Sequence, residues 1–259
     1  MTRARKIIPL QGWYVISLRP QGQHASVRRA AARLGAVTFA LSSLRLVATT
    51  AGESLREALA CPRVIVTSPA AVRFANAQRS LRQRKGQAWF APGAGTAEAL
   101  RKIGISQVHA PRHGASSEAL LLDPALQGRG PGPVGLITAP GGRQLIADEL
   151  ARRGASVAIA HVYRREIRMP TPARRRALEA LPARSALLIS SRESLDALWL
   201  ALDAGQRASL RNRPCVVSSE RLARRVRELG FESVITASDA LPRNLLSVLA
   251  DHVAGGRFR

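Results

Sequence analysis

Pairs of hydroxyl residues recur near the ends of short apolar runs in the chain. They are Thr67-Ser68, Ser116-Ser117, Ser190-Ser191 and Ser218-Ser219. A Ser or Thr in such a place typically accepts a hydrogen bond from a backbone amide and so caps the start of a helix. At the carboxyl end of a strand, the same residue types line the crevice in which open α/β sheets bind ligands. Both roles stay open. No His and Asp are positioned in the sequence to form a catalytic triad with any of these serines. As a helix signal, the spacing of Ser190 and Glu193 predicts a capping box.

A glycine-rich turn, GAGTAEAL over residues 93–100, comes nearest to a phosphate-binding loop. It places Gly93, Gly95 and Thr96 between a predicted strand and a predicted helix. Free backbone amides and the helix dipole attract anions at such a turn. A plain tight turn without a ligand is the alternative interpretation. The chain lacks a GxGxxG turn after its first strand and lacks a Walker loop.

The histidines and cysteines show no metal-binding pattern. None of the five histidines has ligand spacing, and Pro111 argues against a helix that would align His109 with His113. The two cysteines, Cys61 and Cys215, are too few for a disulfide framework and too far apart for a CxxC pair. We therefore predict neither a metal site nor a disulfide.

Short apolar runs of strand length alternate with longer stretches of helical period. The predicted strands are Trp13–Leu18, Ala36–Ala40, Val64–Thr67, Ala88–Ala91, Gln107–Ala110, Val134–Thr138, Ser156–Ala160, Ala186–Ser190, Pro214–Ser218 and Ser233–Thr236. The predicted helices include His24–Leu34, Ala70–Leu81, Thr96–Ile103, Gly142–Arg153, Leu195–Leu202 and Glu220–Leu229. This alternation is typical of βα units, and continuous apolar strands are typical of parallel sheets buried on both faces.

Residue types at the helix boundaries agree with this pattern. Gly35, Gly104, Gly154 and Gly230 each follow a helical stretch, where glycine readily ends a helix. Thr171-Pro172 is typical of an N-cap followed by proline at the first helical position.

The chain also contains an internal repeat with a period of about 120 residues. Residues 13–47 parallel 134–167, residues 64–75 parallel 187–198, and residues 96–108 parallel 222–234. The repeat predicts two similar α/β units.

The crossings between the two units follow the second strand of each repeat. Polar, arginine-bearing stretches lie there, and such stretches are natural linkers. We predict a discontinuous α/β domain from residues 1–44 and 166–259, an inserted α/β domain over 50–160, and linkers at 45–49 and 161–165.

The charge balance is strongly basic. The 259 residues include 40 Lys and Arg, only three of them lysines, against 17 Asp and Glu, for a net charge of +23. Such a surplus favours acidic partners, namely a nucleic acid, an anionic membrane surface, or a polycarboxylate or phosphate ligand. Basic residues spread over many helices and an aromatic content of only 4% argue against a nucleic-acid partner.

The sequence predicts no membrane span and no secretory leader. No segment approaches the roughly 18 to 20 apolar residues that a span needs. The apolar stretch after the basic opening is too short for a signal peptide. We therefore expect a cytoplasmic, reduced protein.

In their order along the chain, these features resemble the uroporphyrinogen-III synthase family. The motifs that carry the resemblance are SLRPQG (17–22), PAAV after Thr67-Ser68, GAGTAEALRKIG (93–104), SSEALL from Ser116, APGGRQLIADELARRGASV (139–157), VYRR (162–165) and SSERLARRVRELGF (218–231). The resemblance extends from about residue 13 to residue 252. The order, the repeat and the paired linkers make it specific.

The resemblance implies two flavodoxin-like parallel-sheet domains, one discontinuous, which two linker strands join. The substrate it implies is hydroxymethylbilane, a linear tetrapyrrole with eight carboxylates, bound in the cleft between the domains. In the implied reaction, the linear tetrapyrrole closes to uroporphyrinogen III with inversion of ring D and loss of water. This is a hydro-lyase step of haem biosynthesis. It implies no metal and no other cofactor.

The resemblance also implies the site residues. Tyr163 matches the family tyrosine that helps the hydroxyl leave, and a linker aromatic anchored by its hydroxyl is the alternative. Carboxylates would bind backbone amides at helix starts, with arginines as charged helpers. The implied binding residues are Ser68, Gly95, Thr96, Ser191, Arg192 and Ser219, with Arg19, Arg143 and Arg164.

We expect a monomer with no nucleic-acid partner. The alternative function is that of a basic α/β protein that binds a polyanion, either a tetrapyrrole or a nucleic acid, without turnover.

Overall fold

The chain forms two compact units. A computed structural model describes residues 8–111, 116–127, 132–141 and 144–256. Unit 1 combines the residues up to Arg45 with those from Glu166 onward, and unit 2 is Leu46–Arg165. Within the described ranges, no helix is long and apolar enough to cross a bilayer.

Strands and helices alternate along the chain. The strands are β1 (Tyr14–Ser17), β2 (Val37–Ala40), β3 (Leu44–Ala48), β4 (Arg63–Val66), β5 (Ala88–Phe90), β6 (Val108–His109), β7 (Val134–Thr138), β8 (Val157–His161), β9 (Tyr163–Ile167), β10 (Ser185–Ile189), β11 (Cys215–Val217) and β12 (Val234–Thr236). The helices are α1 (Ala25–Arg33), α2 (Gly52–Ala60), α3 (Pro69–Gln78), α4 (Ala94–Lys102), α5 (Ser117–Leu121), α6 (Gln144–Arg152), α7 (Pro172–Glu179), α8 (Arg192–Ala201), α9 (Ala204–Arg211), α10 (Glu220–Glu228) and α11 (Pro242–Ala254), with a short 3-10 helix at Pro124–Leu126.

Unit 1 is built on a five-stranded sheet in the order β2-β1-β10-β11-β12. All four strand pairs are parallel. Every residue of β10 is buried, because helices cover both faces of the sheet. Alternate residues point to opposite faces, so that Ile16 lies in one apolar cluster and Val15 in another.

Unit 2 has a second five-stranded parallel sheet, in the order β6-β5-β4-β7-β8. Its strand β7 is buried along its whole length. Val64 packs in the cluster on one face, and its neighbour Ile65 packs in the cluster on the other. The predicted fold class, two parallel-sheet α/β units, is therefore confirmed.

The repeat in the sequence identifies equivalent strands in the two sheets. Counted along the chain, the sheet of unit 1 has the order 2-1-3-4-5, which is that of flavodoxin-like folds. The sheet of unit 2 has the same order when counting starts at β7, which the repeat pairs with β1, and continues through β8, β4, β5 and β6. The two sheets are thus alike in space, although their strands occur in a different order along the chain.

Strands β3 and β9 pair with each other in a separate two-stranded sheet. The division between the units falls inside both strands, after Arg45 and after Arg165. Within unit 1, Arg45 donates to the carboxylate of Glu166.

The residues predicted to begin and end helices do so in the structure except at Ser190, although α3, α4 and α8 have bounds up to three residues from the predicted ones. Gly35, Gly104, Gly154 and Gly230 all have positive φ, between 80° and 95°. The Thr171 hydroxyl accepts a hydrogen bond from the amide of Arg174, and Pro172 is the first residue of α7. The capping box at Ser190 is wrong, because α8 begins one residue later and Ser191 caps it by accepting from the Ser194 amide.

One glycine in the core of unit 2 is required by close packing. Gly135 lies in β7, and a Cβ atom added there would come within 2.0 Å of the carbonyl oxygen of Ala58 in α2. Helix α2 therefore lies directly on the backbone of β7. A side chain at this position would have to push the helix away from the sheet, since the obstructing atoms are backbone.

We predict that Gly135→Ala destabilises the protein by about 3 kcal/mol, at the upper end for overpacking in a core. Gly52→Ala is the control, because Gly52 begins the same helix and has no atom within 4 Å of an added Cβ. Urea unfolding of both variants measures the difference. An unchanged unfolding midpoint for Gly135→Ala would contradict the contact between α2 and β7.

Candidate functional site

Each sheet has one edge at which strands end and helices begin. In a parallel sheet, all strands reach their carboxyl ends at the same edge. Ligand crevices form there between adjacent strands whose connections run in opposite directions. In unit 1 these strands are β1 and β10, and in unit 2 they are β7 and β4. We call these the carboxyl edges of units 1 and 2. Most of the candidate residues that the structure describes follow strands there, namely Arg19, Ser68, Gly95, Thr96, Ser191, Arg192 and Ser219.

At the carboxyl edge of unit 2, hydroxyl groups from β4 and β7 meet. Thr67 is buried and donates to the hydroxyl of Thr138, with 2.9 Å between the oxygens. Ser68 caps helix α3, and its hydroxyl accepts from the amide of Ala71 at 3.0 Å. The same Ser68 oxygen lies 3.2 Å from the phenolic oxygen of Tyr163. The sequence-predicted residues Ser68 and Tyr163 are therefore hydrogen-bonded to each other.

Tyr163 lies at the start of β9, and its side chain is only 3% exposed. Its ring stacks on Phe74 of α3, with 5.2 Å between centroids and an angle of 18° between planes. The guanidinium of Arg165 lies 5.7 Å from the ring centroid. The ring belongs to the apolar core of unit 2, and the hydroxyl is directed to Ser68 where α3 begins.

The glycine-rich turn leads from β5 into α4. Gly93 precedes the helix in an extended conformation and offers no side-chain cap. Its carbonyl accepts from the amides of Thr96 and Ala97, both at 3.1 Å. In the described part of the chain, the amides of Ala94 and Gly95 have no backbone or side-chain acceptor, as is usual in the first turn of a helix. The side chain of Thr96 is buried.

At the carboxyl edge of unit 1, serines cap the helices that follow β10 and β11. Ser191 caps α8, and Ser219 caps α10 by accepting from the amide of Leu222 at 3.4 Å. Arg192 is the first residue of α8, and its guanidinium pairs with Asp196 at 3.2 Å. Part of the donor capacity of Arg192 is therefore already used within the helix.

Arg19 follows β1 at the same edge. Its guanidinium donates to the carbonyl oxygen of Ala240 at 2.8 Å. Burial lowers the pKa of Arg19, although the side chain stays protonated at any physiological pH. A guanidinium has five N–H donors, so one bond to Ala240 leaves donors for a carboxylate.

A buried histidine supports the loop that carries Arg19. His24 is 4% exposed, and its Nδ1 and Nε2 atoms lie 3.0 Å from the Ser17 hydroxyl and 2.8 Å from the Ser42 hydroxyl. The Ser42 hydroxyl in turn donates to the carbonyl oxygen of Arg19 at 2.9 Å. Since a hydroxyl has a single proton, the Ser42 oxygen accepts from His24. The imidazole therefore carries its proton on Nε2, and Nδ1 accepts from Ser17.

His24 is neutral in this network. Burial, with a smaller contribution from the positive charges of Arg28, Arg19 and Arg174, lowers its pKa to about 4. Sequence reasoning considered the histidines only as metal ligands and missed this role. A polar residue six positions after a predicted strand gives no sign that its side chain will be buried.

Two further sequence-predicted residues remain. Arg164 lies in β9 with an exposed side chain. Arg143 lies outside the described residues. Among the described ranges, no group of three or more His, Cys, Asp and Glu residues is arranged to hold a metal ion.

Comparison with known proteins places this architecture in one family. The family model described as uroporphyrinogen-III synthase HemD matches residues 25–247. The uroporphyrinogen-III synthase of Salmonella typhimurium is 33% identical over 228 residues, which cover 83% of this chain and 91% of that protein.

Solved structures have the same fold. A mutant uroporphyrinogen III synthase from Thermus thermophilus superimposes with a TM-score of 0.60 at 20% identity, covering 94% of this chain and 99% of that one. The uroporphyrinogen-III synthetase of Helicobacter pylori gives a TM-score of 0.62 at 14% identity, covering 92% and 99%.

The neutral state of His24 predicts a specific pH dependence. Between pH 6.5 and about 4, the unfolded chain binds a proton that folded His24 does not, so the folded state loses stability as the pH falls. At about 1.4 kcal/mol per pKa unit, the free energy of unfolding decreases by about 3 kcal/mol over this range. Below the folded pKa the contribution of His24 becomes constant.

NMR titration of the imidazole measures the pKa directly, and urea unfolding between pH 7 and 4 measures its effect on stability. His24→Gln is the control, since it should lose this part of the pH dependence. A folded-state pKa near 6.5 would contradict the network.

Proposed function

The chain belongs to the uroporphyrinogen-III synthase family, and from this premise we propose that the carboxyl edges of its two sheets bind the carboxylates of hydroxymethylbilane. Its activity is that of a uroporphyrinogen-III synthase in tetrapyrrole biosynthesis, and it is a hydro-lyase. One observation carries the proposal. Ser68 and Ser191 cap helices that follow the equivalent strands β4 and β10, beside the point in each sheet where the connections diverge.

Backbone amides supply most of the carboxylate binding in this proposal. A capped helix start presents N–H groups and the positive end of the helix dipole to an anion. The unpartnered amides of Ala94 and Gly95 offer the same donors at the start of α4. Hydrogen bonds to a charged group are worth about 1.5 to 3 kcal/mol each, so a few of them suffice to orient one carboxylate.

Arginines add charge to these donors. Arg19 lies at the carboxyl edge of unit 1 with N–H groups left over from its bond to Ala240. Arg164 and Arg192 have the same proposed role, as does Arg143. The net charge of +23 raises the local concentration of an octa-anion near the protein and accelerates its binding.

The reaction then proceeds on the substrate's own pyrroles. The C–O bond of the ring-A hydroxymethyl group breaks, the hydroxyl leaves as water with one added proton, and the pyrrole nitrogen donates electrons to give an azafulvene cation. The substituted carbon of ring D attacks this cation and forms a spiro intermediate. The spiro intermediate fragments and recloses with ring D inverted, and loss of a proton restores the pyrrole.

The enzyme's main contribution is orientation. Attack through the substituted carbon must be faster than simple end-to-end closure, and holding the reacting carbons in place is sufficient for that. Carboxylates held at fixed helix starts provide such a template. We also propose that the enzyme acts as a monomer in the cytoplasm.

Tyr163 is the residue proposed to assist the departing hydroxyl. Its phenol is the group that can donate a hydrogen bond, and its ring is fixed by stacking on Phe74. Ser68 holds the phenol at 3.2 Å and connects it to the start of α3, one of the proposed carboxylate sites.

We predict that Tyr163→Phe lowers kcat by about 10-fold or more, since general acids typically contribute about 10² to 10⁴-fold and the pyrrole already does much of the work. The ring and its stacking on Phe74 remain. Stability should fall by only about 1 kcal/mol, the value of one hydrogen bond. Initial rates and thermal melting measure the two effects.

Tyr14→Phe is the matched control, because Tyr14 begins β1 at the opposite edge of its sheet and should keep the wild-type kcat. Full activity of Tyr163→Phe would make Tyr163 a core residue without a chemical role. Loss of activity that merely parallels unfolding would lead to the same conclusion.

A further inference from the structure

We propose a second anion-binding site in unit 2, at the amino-terminal edge of its sheet, that takes a small multivalent oxyanion such as a polyphosphate or a polycarboxylate. We call it the basic cleft. It lies between the loop that precedes β5 and the loop that precedes β6. Nothing in the proposed cyclisation uses these residues.

The basic cleft has the size of a small-molecule site. Its volume is about 840 Å³, within the range of roughly 300 to 1,000 Å³ that such sites occupy. The side chains that give it its chemistry are Arg82, Gln83, Arg84, Lys85, Ser106 and Gln107. One wall therefore carries three cations and an amide, and the other carries a hydroxyl and an amide, all of them able to donate hydrogen bonds.

The three cations have no ion-pair partner in the described part of the chain. None of the residues that line the basic cleft is an Asp or Glu. Within the described ranges, Arg82, Arg84 and Lys85 form no ion pair, whereas Arg152 and Arg153 share Glu149 at 2.7 and 2.8 Å. The three cations fall within four consecutive residues of one exposed loop, so an oxyanion bound beside them would reduce their mutual repulsion and accept their hydrogen bonds.

A buried glutamine fixes the loop that carries the cations. Gln87 is 7% exposed, and its amide nitrogen donates to the carbonyl oxygens of Leu59 and Cys61 at 2.9 and 2.8 Å. Its amide oxygen accepts from the indole of Trp89 and from the backbone amide of Arg84. Because the backbone is held at Arg84 itself, the cations are presented from a fixed loop, which reduces the entropy lost on binding.

The chemistry of the lining favours a small oxyanion over a nucleic acid. Single-stranded nucleic acids bind where bases can stack on exposed aromatic rings. Trp89 and Phe90, which directly follow the lining residue Ala88, are fully buried and do not line the basic cleft. The one aromatic ring in the lining, His109, already packs on Phe90 at 4.8 Å and contacts the Asp123 carboxylate at 3.2 Å.

The basic cleft is separate from the carboxyl edge of the same unit. Strand β5 runs from the cleft at Ala88 to the turn that begins at Gly93. Its three residues span about 10 Å at roughly 3.3 Å per residue. An anion in the basic cleft therefore cannot contact the amides at the start of α4.

Isothermal titration with sodium tripolyphosphate tests the proposal. One of the equivalents that wild type binds should be bound at the basic cleft, and the triple variant Arg82→Gln, Arg84→Gln, Lys85→Gln should bind that equivalent at least about 10-fold more weakly, since it loses three charge-assisted contacts. A second triple variant, Arg29→Gln, Arg33→Gln, Arg224→Gln, removes the same charge from exposed positions elsewhere and should bind within about two-fold of wild type.

Citrate and a short DNA duplex are the two further probes. If citrate binds more tightly than tripolyphosphate and its binding also depends on the three cations, the oxyanion is a polycarboxylate. If tripolyphosphate binds more tightly than citrate, the oxyanion is a polyphosphate. Equal weakening in both triple variants, or no weakening in either, would overturn the proposal. So would binding of the duplex alone.

Uroporphyrinogen-III formation by each variant is measured in parallel. Both triple variants should retain it, so a failure of the basic cleft and a failure of the proposed cyclisation are seen in different experiments.

Discussion

The constraint on which this structure depends is that parallel strands buried on both faces all end at one edge. Strand β10 in unit 1 and strand β7 in unit 2 are buried along their whole length, so helices must cover both sides of each sheet. The chain can satisfy this only by turning from strand to helix at the same edge each time. Helix starts, with their unpaired amides, therefore collect at the carboxyl edges. In the proposed function, these backbone donors, which the fold supplies without any particular side chain, bind the carboxylates of the substrate.

Charge adds to what the fold provides. Several acidic residues are paired with arginines of the same unit, such as Glu149 with Arg152 and Arg153, and Asp196 with Arg192 and Arg225. The two arginines hold the pKa of Glu149 at about 2, so it stays ionised at any physiological pH. Exposed pairs of this kind contribute little to stability. The arginines left over dominate the field that an incoming anion meets.

Much of the fold was predictable because it depends on local and periodic signals. All ten predicted strands are present, and four glycines end helices with positive φ as expected. The repeat also identified equivalent strands, and these strands occupy equivalent positions in the two sheets. The start of α8 was missed by one residue, because Ser190 and Ser191 are equally good N-caps in sequence and the end of β10 decides between them.

The candidate sites were less predictable because they depend on contacts between distant segments. Ser68, Ser191 and Ser219 were recognised as hydroxyls at strand ends, and each caps a helix, while their contact with substrate stays a prediction. The His24 network depends on hydrogen bonds that join His24 to Ser17 and to Ser42, which lie in different segments of unit 1. The hydrogen bond between Tyr163 and Ser68 joins residues 95 positions apart. The fixed loop of the basic cleft depends on hydrogen bonds from Gln87 to the carbonyl oxygens of Leu59 and Cys61 at the end of α2, 28 and 26 positions earlier, and no short sequence motif predicts such contacts.

The most direct measurement is the isomer composition of the product. Freshly prepared hydroxymethylbilane is incubated with protein treated with EDTA, and the type I and type III isomers are separated after oxidation. The account predicts mainly the type III isomer, formed faster than the spontaneous closure without protein. Only the type I isomer, formed at the spontaneous rate, would contradict it, because the protein would then bind a polyanion without directing the inversion of ring D.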